Sequence, residues 1–146
     1  MNNEINELEL AIEIARRAHF GQIDKAGADY ILHPLRVMEQ MQSTDEKIVA
    51  ILHDVVEDSD VTFQQLLDWG VSTKNVMSLR LLTHDKNTLY GNYIRKLAQD
   101  SVARQVKLAD LKDNSNLDRL PEVTEKDLDR VEKYRRAIAY LEQLNN

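Results

Sequence analysis

The stretch VAILHDVVED, residues 49–58, threads His53, Asp54, Glu57 and Asp58 through an otherwise apolar segment. Ile48, Val49, Ile51, Leu52, Val55 and Val56 are enough by themselves to predict a buried helix. Charged groups in such a place cost several kcal/mol unless they are paired or bound to a metal. Ser43, followed three residues later by Glu46, has the form of a capping box that starts this helix. Read as one continuous helix, the segment puts Glu57 one turn beyond His53 and Asp58 one turn beyond Asp54.

Outward from this stretch the pattern stays helical. Leu8, Ile12, Ala15 and His19 share a face of the first segment, with Leu10, Ile14 and Ala18 beside it. A polar turn, GQIDKAGADY, precedes the helical HPLRVMEQMQ. Thr62 with Gln65 predicts a second capping box before FQQLLDW, which Gly70 ends, and Trp69 there reads as core or cap packing. STKNVMSLRLLT, LYGNYIRKLAQ, SVARQVKLADLKDNS and a final helix from about Thr124 to Leu144 complete the series. Period-two alternation is absent, so the class is all-α.

The 146 residues predict a single domain with one core. A net charge of −6 argues against non-specific DNA binding, which needs a basic surface, but leaves room for a small anionic ligand in a local basic cluster. The absence of Cys removes disulfides, thiolate metal sites and thiol nucleophiles together. The opening MNNEINELELAIEIA is acidic and amphipathic, unlike a signal peptide, and no apolar run approaches the roughly 20 residues that span a bilayer. The expectation is a cytoplasmic protein without a membrane partner.

Four histidines are present, two of them in His-Asp doublets. His84-Asp85 leaves an apolar run for a polar one and reads as an exposed helix end. His53-Asp54 lies between apolar residues on both sides and is the candidate site. Imidazole and carboxylate without thiolate suit Mn²⁺, Fe²⁺ or Zn²⁺. His33, opening a helix in YILHPLRV, and Asp110, following apolar positions in QVKLADLKDNS, supply two further ligands. Glu57 and Asp58 stand near this position as groups able to orient or deprotonate a water. Lys107, one turn before Asp110, can reach a phosphate or snorkel from a half-buried helix. Tyr90 reads as packing, Tyr93 equally as packing or pocket wall, and His19 as a satisfied core histidine or a group behind the metal ligands.

AHFGQIDKAGADYILHPLRV, AILHDVVEDS and VKLADLKDNS together resemble the HD-superfamily phosphohydrolases, and within them the ppGpp hydrolase domain of Rel/SpoT proteins and its free-standing relatives. The likeness runs from about Ala11 to Tyr134. It implies a compact helical bundle, residues 1–146 as one HD-type domain, with a central divalent metal, typically Mn²⁺, on His33, His53, Asp54 and Asp110. It further implies that Glu57 and Asp58 activate the attacking water, and that Lys25, Asn114, Arg130 and Tyr134 contact the nucleotide. The implied reaction is hydrolysis of the 3′-pyrophosphate of ppGpp to GDP and pyrophosphate. The 146 residues are expected to leave no room for a synthetase domain.

Two stretches depart from that pattern. Asp24 stands where a second basic residue precedes the lysine, and the common LADRLHN reads LADLKDN, with Asp113 replacing the His. Both changes are expected to fall on the substrate side and to leave metal binding untouched. They keep two alternatives in view: the same metal chemistry on ppApp, NADPH or a deoxynucleotide, and a nucleotide-binding sensor without turnover.

Overall fold

A computed structural model describes residues 3–145 of the chain, with side chains from residue 7 onward. Met1, Asn2 and Asn146, which belong to the opening acidic stretch and to the 1–146 domain reading, lie outside the described residues. The described residues form α1 (Asn3–His19), α2 (Leu32–Glu39), α3 (Thr44–Leu52), α4 (Val55–Asp58), α5 (Phe63–Trp69), α6 (Thr73–Leu82), α7 (Tyr90–Leu97), α8 (Ser101–Asn114) and α9 (Glu125–Leu144). A 3₁₀ turn at Leu117–Arg119 links α8 to α9. Among these residues the β-type pairing is confined to an isolated bridge between Ile23 and Asp29, which closes the polar turn before α2. The class is all-α, as expected. Among the described residues, no helix is long and apolar enough to cross a membrane.

The centre of the molecule is α3. Ile48, Val49, Ala50, Ile51 and Leu52 are each at most 1% exposed, so the C-terminal half of this helix is covered on every side. An all-round apolar helix is stable only where neighbours bury all of it, and α1, α2, α6 and α8 do so. The buried stripe of α1 is Ala11, Ile14, Ala15 and His19, with Leu8 and Ile12 only partly covered. The stripe is thus rotated from the expected Leu8–Ile12 face, because small Ala11 and Ala15 let α1 approach the bundle closely.

The helix ends follow local chemistry. Ser43 and Thr62 both form the expected capping boxes, and Gly70 ends α5 with φ 113°, a conformation open to glycine. Trp69 is 46% exposed, which removes the core half of the core-or-cap reading. Thr124 caps α9 through a third box, its side chain accepting from the Asp127 N–H while Asp127 Oδ2 accepts from the Thr124 N–H at 2.9 Å. Thr124→Ala is expected to cost about 1 kcal/mol, or a drop of about 2–4 °C in Tm, measured by thermal unfolding.

VAILHDVVED is not one helix, which corrects the continuous reading. α3 stops at Leu52 and α4 begins at Val55. His53 ends α3 through a tight bond from its N–H to Ala50 O at 3.4 Å, and Asp54 leads into α4 at φ −104°, ψ −1°. This joint is where the buried charges sit.

Candidate metal centre and active site

Three packed elements bring the charged residues together. α2 contributes His33 in its first turn, the α3–α4 joint contributes His53 and Asp54, and α8 contributes Asp110. One donor atom from each lies within 4.8 Å of the other three. His33 Nε2 is 2.8 Å from Asp110 Oδ1 and 3.7 Å from Asp54 Oδ2. His53 Nε2 is 3.2 Å from Asp110 Oδ1 and 3.1 Å from Asp54 Oδ2. Donors about 2.1 Å from a shared ion lie about 3.0–3.4 Å apart at octahedral or tetrahedral angles. The two His53 separations fall in that range, and the two His33 separations lie just below and just above it.

The far side of each imidazole supports the same reading. His53 Nδ1 lies 2.6 Å from the carbonyl of Ala50, and His33 Nδ1 lies 2.6 Å from Asp113 Oδ2. Both partners are acceptors, so each Nδ1 carries a proton and each Nε2 is the atom free to ligate. The four residues therefore fit a divalent metal.

Burial opposes charge on both rings, yet bonds to Asp110 and Asp113 raise the pKa of His33. Asp54 and Asp110 raise that of His53 well above the ordinary imidazole value. Burial likewise opposes ionisation of Asp110, but Lys107 and His53 hold it well below the carboxylate range. Without an ion the cluster is thus a buried network of paired charges.

Two cavities flank the cluster. One, of about 320 Å³, lies on the His33 side and is lined by Lys25, Tyr30, Asn114, Arg130 and Tyr134 among others. The second, of about 210 Å³, lies on the His53 side with Asp54, Glu57, His84, Tyr93 and Lys107 in its wall, and Tyr134 is common to both. Lys107 Nζ reaches Asp110 Oδ2 at 3.0 Å, and Asn114 Nδ2 donates to Asp110 Oδ1 at 3.0 Å. Arg130 is held by Asp127 at 2.9 Å.

Glu57 and Asp58 do not occupy equivalent places. Glu57 Oε1 accepts from the His84 N–H at 2.8 Å inside the second cavity. Asp58 lies outside the walls of both cavities, and its carbonyl accepts from Gln22 Nε2 at 2.7 Å. Burial pushes up the pKa of both carboxyls, and the charge of Asp54 adds to this.

Several participants escaped the sequence reading. Tyr30 donates to Asp54 Oδ2 at 2.6 Å; its place three residues before His33 was the available signal. His84 does lie at an exposed helix end, but it also walls the second cavity, stacks on Tyr93 at 4.5 Å and anchors Glu57. Tyr90 packs under Lys133 at 4.0 Å, though its buried hydroxyl has no partner. Tyr93 is buried and also walls the cavity, its hydroxyl bonded to Leu82 O. His19 is half satisfied, with Nδ1 on Gln22 at 2.8 Å and Nε2 buried without a partner.

The two departures resolve differently. Asp24 caps its own turn, Oδ1 accepting from the Ala26 and Ala28 N–H groups at 2.9 Å each. Asp113 stands directly behind a candidate ligand, which corrects the expectation that it bears on the substrate side alone.

No protein-family model matches the chain. A guanosine-3′,5′-bis(diphosphate) 3′-pyrophosphohydrolase of Spiroplasma citri is 32% identical over 120 residues, 73% of this chain and 16% of the relative. The bifunctional (p)ppGpp synthase/hydrolase SpoT of Escherichia coli is 31% identical over 122 residues, 74% of this chain and 17% of the relative. The chain is homologous to the hydrolase region of Rel/SpoT proteins. It spans about one-sixth of the length of these Rel/SpoT relatives. A solved structure of a metazoan orthologue of SpoT, a protein that hydrolyses ppGpp, superposes with a TM-score of 0.73 at 20% identity, covering 92% of this chain and 84% of that one. That likeness assigns the Rel/SpoT homologue the HD-domain fold.

Proposed function

We propose that the protein hydrolyses the 3′-pyrophosphate of ppGpp to GDP and pyrophosphate, with one Mn²⁺ held by His33, His53, Asp54 and Asp110. The observation that carries this reading is the four-donor cluster with a cavity on either side, in a chain homologous to the Rel/SpoT hydrolase region. Two imidazoles and two carboxylates without thiolate suit Mn²⁺. The ion, when bound, supplies a Lewis acid for a phosphoryl oxygen and for the attacking water.

The chain's own residues divide the remaining work. Glu57, anchored through Oε1, takes the proton of the attacking water at Oε2. Asp58 supports that step through its charge, which adds to the effects of burial and of Asp54 in pushing up the pKa of Glu57. Lys25, Asn114, Arg130 and Tyr134 hold the nucleoside in the first cavity, and Lys107 holds a phosphate oxygen from the second. Water then enters from the Glu57 side and the 3′-oxygen departs toward the first cavity, the opposed arrangement that in-line displacement needs.

The test is product analysis of Mn²⁺-loaded protein with ppGpp, with a chelator control. GDP and pyrophosphate in equal amounts, lost on chelation, are expected. Turnover of ppApp or NADPH in place of ppGpp would transfer the same machinery to another nucleotide. Saturable binding of ppGpp without any product would make the protein a sensor.

A further inference from the structure

The two candidate histidine ligands are held in different ways. His53 is oriented by the carbonyl of Ala50 in its own helix, a contact that any residue at position 50 supplies. His33 has no such local support. Its Nδ1 meets Asp113 Oδ2 at 2.6 Å across the interface of α2 and α8. Asp113 is itself fixed from two directions. Arg36, on α2, forks onto it with Nε at 2.9 Å from Oδ1 and Nη2 at 3.0 Å from Oδ2. Arg119 donates to the Asp113 carbonyl at 2.7 Å and lies 3.4 Å from Oδ1. Asp110, Asp113 and Asn114 share one face of α8 by their spacing, so a single helix presents a ligand and the group that orients another ligand.

We infer that Asp113 is the positioning residue of the metal centre: its carboxylate fixes the proton of His33 on Nδ1 and turns Nε2 toward the ion, while Arg36 and Arg119 hold the carboxylate in place. A carboxylate behind a ligating imidazole makes the ring a stronger donor and removes its rotational freedom before the ion arrives, a contribution of about 10–100-fold in metal affinity. The two guanidiniums cover the negative charge that Asp113 adds beside an already acidic cluster. This rests on the metal-centre part of the proposed function and on no choice of substrate.

Calorimetric titration of metal-free protein with Mn²⁺ tests it without any substrate. Asp113→Ala is expected to weaken binding about 10–100-fold with stoichiometry near one. Asp113→Asn, nearly isosteric, retains an acceptor without the charge and should fall between this variant and the parent; it carries the test if the alanine variant does not fold. Arg36→Ala separates positioning from frame-holding, because it removes the ion pair and leaves the Asp113–His33 bond. Its Mn²⁺ affinity is expected to fall by less than that of Asp113→Ala, because Arg119 still holds the carboxylate behind His33. Parental affinity in Asp113→Ala and Asp113→Asn would overturn the assignment, as would an Arg36→Ala loss as large as that of Asp113→Ala. Failure of the parent to bind Mn²⁺ at all would instead remove the metal centre, a different outcome from a parent that binds Mn²⁺ and leaves ppGpp intact.

Discussion

Asp54→Ala is expected to abolish Mn²⁺ uptake and ppGpp hydrolysis together. Asp54 Oδ2 faces both imidazoles, at 3.1 Å from His53 Nε2 and 3.7 Å from His33 Nε2, and accepts the Tyr30 hydroxyl at 2.6 Å. Removing it takes one of four donors, halves the carboxylate charge that draws a divalent cation, and leaves the Tyr30 hydroxyl without its acceptor. Metal chemistry contributes several kcal/mol to such a reaction, so the rate should fall by about three orders of magnitude or more. Mn²⁺ titration and product analysis on the same preparation measure both losses, and the helical circular dichroism signal reports whether the bundle persists. Full Mn²⁺ affinity in this variant would remove Asp54 from the ligand set.

Glu57→Gln should separate turnover from metal binding. The amide keeps the length of the side chain and an oxygen for the His84 N–H that holds Oε1 at 2.8 Å. What it loses is the ability to take a proton. The expected result is unchanged Mn²⁺ affinity with kcat lower by about 10²–10⁴-fold, the usual contribution of a positioned general base. Asp58→Asn should cost less, because Asp58 stands outside the cavity walls that hold Glu57. Equal kcat in parent and Glu57→Gln would place the proton acceptor elsewhere, and a larger loss in Asp58→Asn would exchange the roles of the two acids.

The joint between α3 and α4 shows where reading by periodicity stops. Apolar residues on both sides of His53 and Asp54 are compatible with a continuous helix, and nothing in their order marks a break. The break follows from packing. α3 is buried on every side from Ile48 to Leu52, whereas the next two side chains must converge on Asp110 of α8, and a tight turn aims them there. His84 is a similar case: its position at an exposed helix end follows from local polarity, but the contact of its backbone with Glu57 joins residues 27 apart in the chain.

What the amino-acid order alone determined was whatever depends on neighbours within a turn or two. The capping boxes at Ser43 and Thr62, the Gly70 stop, the all-α class and the set of His and Asp residues with no apolar reason to be where they are belong here. Tertiary structure decided what each of those residues faces. Asp113 reads in sequence as a lost histidine on the substrate side; only the packing of α2 against α8 sets it behind His33, 80 residues away, with Arg36 and Arg119 around it. The physical reason is range. Capping and periodicity act through bonds of three or four residues, while orientation of a ligand depends on a hydrogen bond of 2.6 Å between helices that meet only once the core between them has closed.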